Sequence, residues 1–480
     1  MTNRPGTDVF LLDTPGTISI PTSSGTWFVA GLSDRGPVTP QLVLSLNQFV
    51  QKFGTRQSYS VLYDCIEEFF REGGNRAYIA RVVGPGATKG FVNLNDNAAA
   101  ISLVATANGP GAWSGTYNVA VYAVTGGFGI QVLDPTLAVV EDSGPLVDQN
   151  AAVAWSAYSN YITITKGASA NNPQATSATG LTMSAGNDDR NNITDTQWNN
   201  ALLTFGDNLG PGQLSAPGQT STTRHSQLVS AAYLGGRVAL LDLVDSATAA
   251  TLIANIPSYS VSSRFSAAFA PWVTIPGVTV GSTRSVPPSC VIAGMIASND
   301  PNFGVDAAAA GNQGVSNYAI DLSQADWDDT TRSSLNSAGI NVLRRMFGSI
   351  RNYGWRSLAN PVTDAQWLDF GNGRLFSDLQ SELGFIAENY VFRNITQDTI
   401  DEFHGDLVSN LMDHWVAGDL YGATPGQAFV VDTSAAVNTP QTIANLELHA
   451  VCQVKMTPFA EYVQIQIVKR QIADNLAPAA

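Results

Sequence analysis

The sequence predicts an α/β (α+β) multi-domain chain. An α/β core carries an inserted all-β domain and a C-terminal helix-plus-sheet domain, with extended arms at both termini. Three observations predict it. Helix-period and strand-period runs alternate over residues 26–84 and again over 190–357. Between them, residues 85–189 change to Gly, Ala, Thr and Asn with short β-like runs. Beyond residue 358, two long helical stripes lead into strand-like runs. A chain of 480 residues accommodates roughly three domains.

Residues 1–25 read as an extended arm. Its apolar residues are Val9, Leu11, Ile18 and Ile20, and Pro5, Pro15 and Pro21 punctuate it. Pro15-Gly16 prevents one long strand. Residues 27–31 (WFVAG) are a short buried strand, followed by a turn at Gly36-Pro37. Ser45 and Gln48 have capping-box spacing, and Gly54 can close the short helix they open. In a second helix, over 60–72, Leu62, Ile66, Phe69 and Phe70 share a face, and Gly73-Gly74 stops it. Residues 75–83 follow as a strand.

In the insert the clearest strands are 117–124, 129–133 and 158–166, and no segment reads as a helix. The α/β alternation then resumes. Residues 228–234 read as helical and 237–244 as a buried strand. Residues 269–275 and 290–296 are further expected strands. A helix over 326–337 ends at Gly339, and 340–346 with 351–358 form a hairpin around Phe347-Gly348.

The last domain spans 358–470, with a tail at 471–480. Leu375, Leu379, Leu383, Ile386 and Tyr390 recur at steps of three and four. So do Ile400, Phe403, Leu407, Leu411 and Trp415. Two strand-like runs follow, 446–456 and 462–468, with little local partner to pair with. Apolar and polar residues alternate in both, with Val451 the one break in the first. Strand-forming sequence at both termini suits strand donation to other copies of the chain. The expected subunit-interface residues are Val9, Leu11, Ile18, Ile20, Leu446, Leu448, Val454, Val463, Ile465 and Ile467.

Charged residues are only 13%, against about 25% in ordinary domains. A polar but weakly charged surface suits a protein covered by neighbours. The net charge of −15 argues against nucleic acid as a partner, since that binding rests on Lys and Arg neutralising phosphates. The best local basic cluster is Arg344, Arg345 and Arg351, expected in salt bridges. Cys65, Cys290 and Cys452 lie far apart among apolar residues and read as free thiols. No signal-peptide pattern opens the chain, and no run is apolar enough to insert in a membrane.

No motif carries catalysis. There is no Gly-x-Ser-x-Gly elbow and no phosphate-binding loop. His225, His404, His414 and His449 are scattered without metal-ligand spacing, and His404 and His414, ten residues apart on one expected helix, read as solvent or interface histidines. The run from Asp188 to Asn192 is oxygen-rich but lacks the calcium-loop pattern, and reads as an interdomain turn. Asp326, Asp328 and Asp329 sit at an expected helix start, where negative charge favours the helix dipole. No catalytic residue, metal ligand or cofactor is expected.

Ordered blocks of sequence resemble the contractile tail sheath proteins of bacteriophages and related injection systems. Pro5-Gly6 and Ile18-Ser-Ile20-Pro21 are similar to the family's opening arm. Phe28-Val-Ala-Gly31, Arg35-Gly36-Pro37, Phe53-Gly54, Phe69-Phe70 and Ala77-Tyr78-Ile79 follow in order. Then come Gly210-Pro-Gly-Gln213, Ala270-Pro271-Trp272-Val273 and Val286-Pro-Pro-Ser289 with Ala293-Gly294. Gly354-Trp355-Arg356, Val430-Val-Asp432, and Pro458 with Glu461 complete the set. Trp355-Arg356-Ser357 departs from the family's frequent Ala-Arg-Thr, and the insert is similar only weakly.

The resemblance implies a non-catalytic subunit of a virion tail, assembled in the host cytoplasm. It would form a homo-oligomer of stacked hexameric rings around a tail tube protein, with baseplate and tail terminator proteins as partners. Each arm would add strands to a neighbour's C-terminal sheet, and the insert would lie outermost. A self-assembling surface-layer protein, and a carboxylate-dependent polysaccharide-active enzyme, are the competing readings.

Overall fold

A computed structural model describes residues 24–465, 467 and 469. The chain first runs through β1 (Trp27–Gly31), β2 (Gln41–Val43), α1 (Leu46–Phe53), α2 (Leu62–Arg71) and β3 (Ala77–Arg81). The insert holds β4 (Phe91–Asn95), β5 (Ile101–Ala107), β6 (Asn118–Val124), β7 (Gly127–Leu133), β8 (Val139–Asp142), α3 (Gln149–Ser156), β9 (Ile162–Lys166) and β10 (Leu181–Thr182). After it come α4 (Asp195–Leu203), β11 (Gln213–Ser215), α5 (Thr222–Leu234), β12 (Val238–Asp242), α6 (Ala249–Ala254) and β13 (Ser266–Ala270). Then follow β14 (Val273–Pro276), β15 (Thr283–Val286), α7 (Pro288–Phe303), β16 (Asp321–Leu322), α8 (Asp329–Ser337), β17 (Ile340–Met346) and β18 (Ser349–Asn352). The last elements are α9 (Phe370–Glu388), α10 (Gln397–Ala417), α11 (Pro425–Ala428), β19 (Phe429–Asp432), α12 (Pro440–Ala444) and β20 (Val451–Val454).

The central sheet has the order β18-β17-β13-β12-β11-β1-β3-β2. Its six inner strands are parallel, and β2 and β18 run antiparallel at the edges. A parallel sheet must be covered on both faces, and β1 shows how. Trp27 and Val29 point to a layer containing Phe49, Phe53, Ile66, Phe69 and Ile292, from α1, α2 and α7. Phe28 and Ala30 point to the opposite layer, with Trp198, Leu228, Leu252 and Leu335 from α4, α5, α6 and α8.

Residues 290–296, expected as a strand, are the middle of α7. Burial on all sides leaves an apolar run with no helical period to read. The available signal was Pro288 at the first helical turn, where its missing N–H costs nothing. The expected strand 269–275 breaks where Pro271 cannot donate to the ladder. Its second half, β14, joins β15 and β16 in a separate sheet. The hairpin at Phe347-Gly348 forms, but its second strand stops at Asn352 rather than 358.

The insert builds two sheets, β4-β5-β9 and β10-β6-β7-β8, around its own core of Leu103, Val121, Ile130 and Ile164. It also contains a helix, α3, which the sequence reading missed. That helix is short and Ala-rich with no broad apolar stripe. Asp148 caps it, accepting from Ala151 N at 2.8 Å. The two ends of the insert meet, as Gly84 N donates to Asp188 O at 2.8 Å. Arg81 is fully buried and donates to the carbonyls of Ser33, Asp34, Gly36 and, across to the insert, Pro110. Arg35 also reaches the insert, 4.2 Å above the Tyr161 ring.

The C-terminal helices behave as their stripes predict. Leu375, Leu379, Phe403, Leu407 and Leu411 form one cluster between α9 and α10. The first turns of α9 are anchored in the core, where Arg374 donates to both oxygens of Asp300 at 2.8 and 2.6 Å.

Candidate assembly interface

The terminal sheet is built on this helix pair. Thr396 caps α10, accepting from Thr399 N, and the helix ends at Gly418 in the left-handed region, φ 98°. Only glycine reaches that φ freely, and the turn sends the chain back over α10. β19 then pairs antiparallel with β20, in the register Phe429↔Val454 to Asp432↔Val451. Phe429, Val431, Cys452 and Val454 face the helix cluster. Val430, Val451 and Gln453 face outward. Among the described residues the two strands leave an unpaired edge on each side, which is a template for further strands.

The run 446–456 therefore has a local partner after all, β19. A four-residue strand directly after the short helix α11 gave too short an alternation to be read. Only Val451–Val454 is strand. Leu446 and Glu447 instead return their N–H groups to Ile443 and Thr442 at the end of α12. Leu446 has φ 66° and is 88% exposed. His449 pairs with the Asn438 side chain, which mimics a strand partner with bonds of 2.8 Å in both directions. Leu448 and Val454 pack on their own helix cluster, so their side chains are not on the outward face.

The second run, 462–468, forms no strand over its described residues. Its root is fixed where Glu461 accepts from Arg356 at 2.8 and 2.6 Å and from Asn336 at 2.9 Å. Beyond that clamp Val463, Ile465 and Ile467 are 72, 80 and 93% exposed. An apolar, strand-forming run held outward is the strongest interaction signal among the described residues. Val9, Leu11, Ile18 and Ile20 lie outside the described residues.

Other singled-out residues have internal roles. Arg344 pairs with Asp326 at 3.2 Å and Arg345 with Asp321 at 2.6 Å, while Arg351 donates to Asn312. Asp328 caps α8 through Thr331 N. In the oxygen-rich loop, Asp188 pairs with Arg190 and Asp189 accepts from Gly86 N, closing the insert. His225 is buried between two backbone carbonyls. His414, expected at solvent or an interface, is half-enclosed between Glu382 and Asp419 at 2.9 and 2.7 Å. Asp419 is five residues on at the helix end, and the packing of α9 on α10 brings in Glu382. Cys65 and Cys290 are buried free thiols, and Cys452 is half-buried.

No protein-family model matches the chain, and no curated protein matches it in sequence. Solved structures do match in fold. The contracted helical sheath of the anti-feeding prophage aligns over 98% of this chain and 100% of that one, with TM-score 0.58 and 16% identity. The fold is that of a contractile sheath protein. The sheath of an extracellular contractile injection system in its contracted state covers 98% of both chains, with TM-score 0.58 and 14% identity. A sheath tail protein from Listeria innocua covers 86% of this chain and 89% of its own, with TM-score 0.60 and 11% identity. Within this sheath fold, the terminal sheet and the run after Glu461 are where the chain offers unpaired backbone and exposed apolar side chains.

Proposed function

We propose that this chain is the structural subunit of a contractile tail sheath. It polymerises as stacked hexameric rings around a tail tube and shortens to drive the tube through a host envelope. Its role is mechanical rather than catalytic. The observation that carries this reading is the shared sheath fold over nearly the whole chain. The open edges of β19 and β20 and the exposed run after Glu461 support strand exchange as the connector. In this reading the arm bearing Val9, Leu11, Ile18 and Ile20 pairs with the terminal sheet of another subunit, and Val463, Ile465 and Ile467 take part in the same mesh. The insert lies outermost, and baseplate, terminator and tube proteins are the partners.

Electron microscopy of the purified chain at rising concentration tests this. Rings or hollow tubes are the expected result. Truncation after Glu461, or removal of Met1 to Ile20, should leave a folded monomer that builds no tubes. Tubes of normal length from both truncated chains would show that core contacts, not strands, connect the subunits.

A further inference from the structure

The central sheet has a switch point that the assembly reading does not use. From β1 the chain crosses to β3 over the face covered by α2, whereas from β11, on the other side of β1, it crosses to β12 over the opposite face through α5. The two crossovers diverge at the carboxyl ends of β1 and β11. Such a divergence opens a crevice, the usual ligand position in open α/β sheets.

A cavity of about 320 Å³ lies there. That is the lower end of the range of small-molecule sites, roughly 300–1,000 Å³. Its walls include Val61 and Leu62 from the start of α2, Trp198 of α4, Gly218 after β11, and Trp272 and Arg284 from the β14–β15 hairpin. Gly218 has φ 75°, and a Cβ there would meet Val61 at 3.5 Å and Trp272 at 3.7 Å. The absent side chain thus keeps space between an aliphatic and an aromatic wall.

The polar groups of the lining are one-sided. Among the described residues Arg284 is the one charged side chain of the lining, and no carboxylate lines the cavity. Arg284 is not neutralised one for one. It shares the buried Asp64 with Arg56, each at 2.5 Å. Arg56 also meets Glu67, which in turn holds Arg71. Arg284 therefore has only a shared carboxylate set against its charge. Ser58 and Gln219 add neutral hydrogen-bonding side chains at the rim. Aromatic and aliphatic walls, a cation with only a shared counter-ion and no acid in the lining select a ligand with a flat apolar body and one anionic group.

We propose that this switch-point cavity binds a small organic anion, a carboxylate or phosphate ester carried on an apolar ring. The site is independent of the assembly reading and would stand if that reading failed.

Calorimetric titration of the full chain with benzoate and phenyl phosphate tests it, with phenol and inorganic phosphate as single-feature controls. The expected result is saturable one-to-one binding of at least one ring-bearing anion, at least about tenfold tighter than either control. Arg284→Gln should weaken it by about tenfold or more. Because that change also disturbs buried Asp64, a second variant places bulk at the rim. Ser58 is exposed, and Ser58→Trp should abolish binding while leaving the thermal melt unchanged. No saturable heat from either anion up to about 10 mM would overturn the proposal. So would inorganic phosphate binding as tightly as phenyl phosphate, or full binding in Ser58→Trp.

Discussion

His414 shows how one side chain ties the end of α10 to its neighbours. Burial works against its charged form, but hydrogen bonds to Asp419 and Glu382, with their charges, outweigh it and lift its pKa to about 10. A raised imidazole pKa contributes stability that is complete below the ordinary value near 6.5. That contribution is lost as pH rises through about 10. On the acid side the burial of Glu382 is outweighed by its bonds to His414 and Asn410, which hold it below its ordinary value. Its share is therefore lost on acidification. His414→Gln is expected to cost about 2–4 kcal/mol at pH 6, because it strands the buried Asp419 and the half-buried Glu382. Urea melts of both proteins should show that gap narrowing steadily from pH 6.5 to pH 10. A gap that stays constant would mean that the imidazole is uncharged.

Two glycines in helices separate packing from propensity at the scale of elements. Gly294 lies where α7 crosses α2, and a Cβ there would sit 2.4 Å from Glu72 Cβ and 3.0 Å from Phe69 O. Neither neighbour can swing away, since Glu72 holds the loop before β16 through Asn317 N and Tyr318 N. Gly294→Ala should therefore destabilise by about 1–3 kcal/mol. Gly384 lies on the exposed side of α9 with nothing within 4 Å of its would-be Cβ. There the same substitution relieves the entropy cost of glycine in a helix and should stabilise by about 0.5–1 kcal/mol. Thermal melts of the two variants should move in opposite directions.

For the whole molecule, the insert is the decisive test of organisation. It has its own core, and its ends meet at Gly84 and Asp188. A short Gly/Ser linker in place of residues 85–189 can therefore close without stretching the core. We expect the shortened chain to fold cooperatively. The cost should be about 2–4 kcal/mol, from the lost charged bond of Arg81 to Pro110 and the lost seat of Arg35 on Tyr161. Arg81 keeps its three carbonyls in the loop after β1. Loss of cooperative unfolding, followed by circular dichroism, would show that insert and core fold as one unit.

The sequence by itself determined whatever rests on local pattern. The helices α2, α9 and α10 have wide apolar stripes, and the strands β1, β3, β12 and β17 lie between clear breakers, so period and punctuation sufficed. The ordered blocks from Phe28 to Glu461 pointed to the sheath fold, because they record turns and close approaches that this fold repeats. Local pattern failed where burial is complete or a partner is distant. The α7 core has no polar face to mark its period, and β19 is too short to show alternation. Only the tertiary structure placed Leu448 and Val454 inward, seated His414 between Glu382 and Asp419, and fixed the root of the terminal run at Arg356. Each depends on at least one partner tens of residues away meeting it in space, as Glu382 meets His414 from 32 residues off, and no short window of sequence contains both.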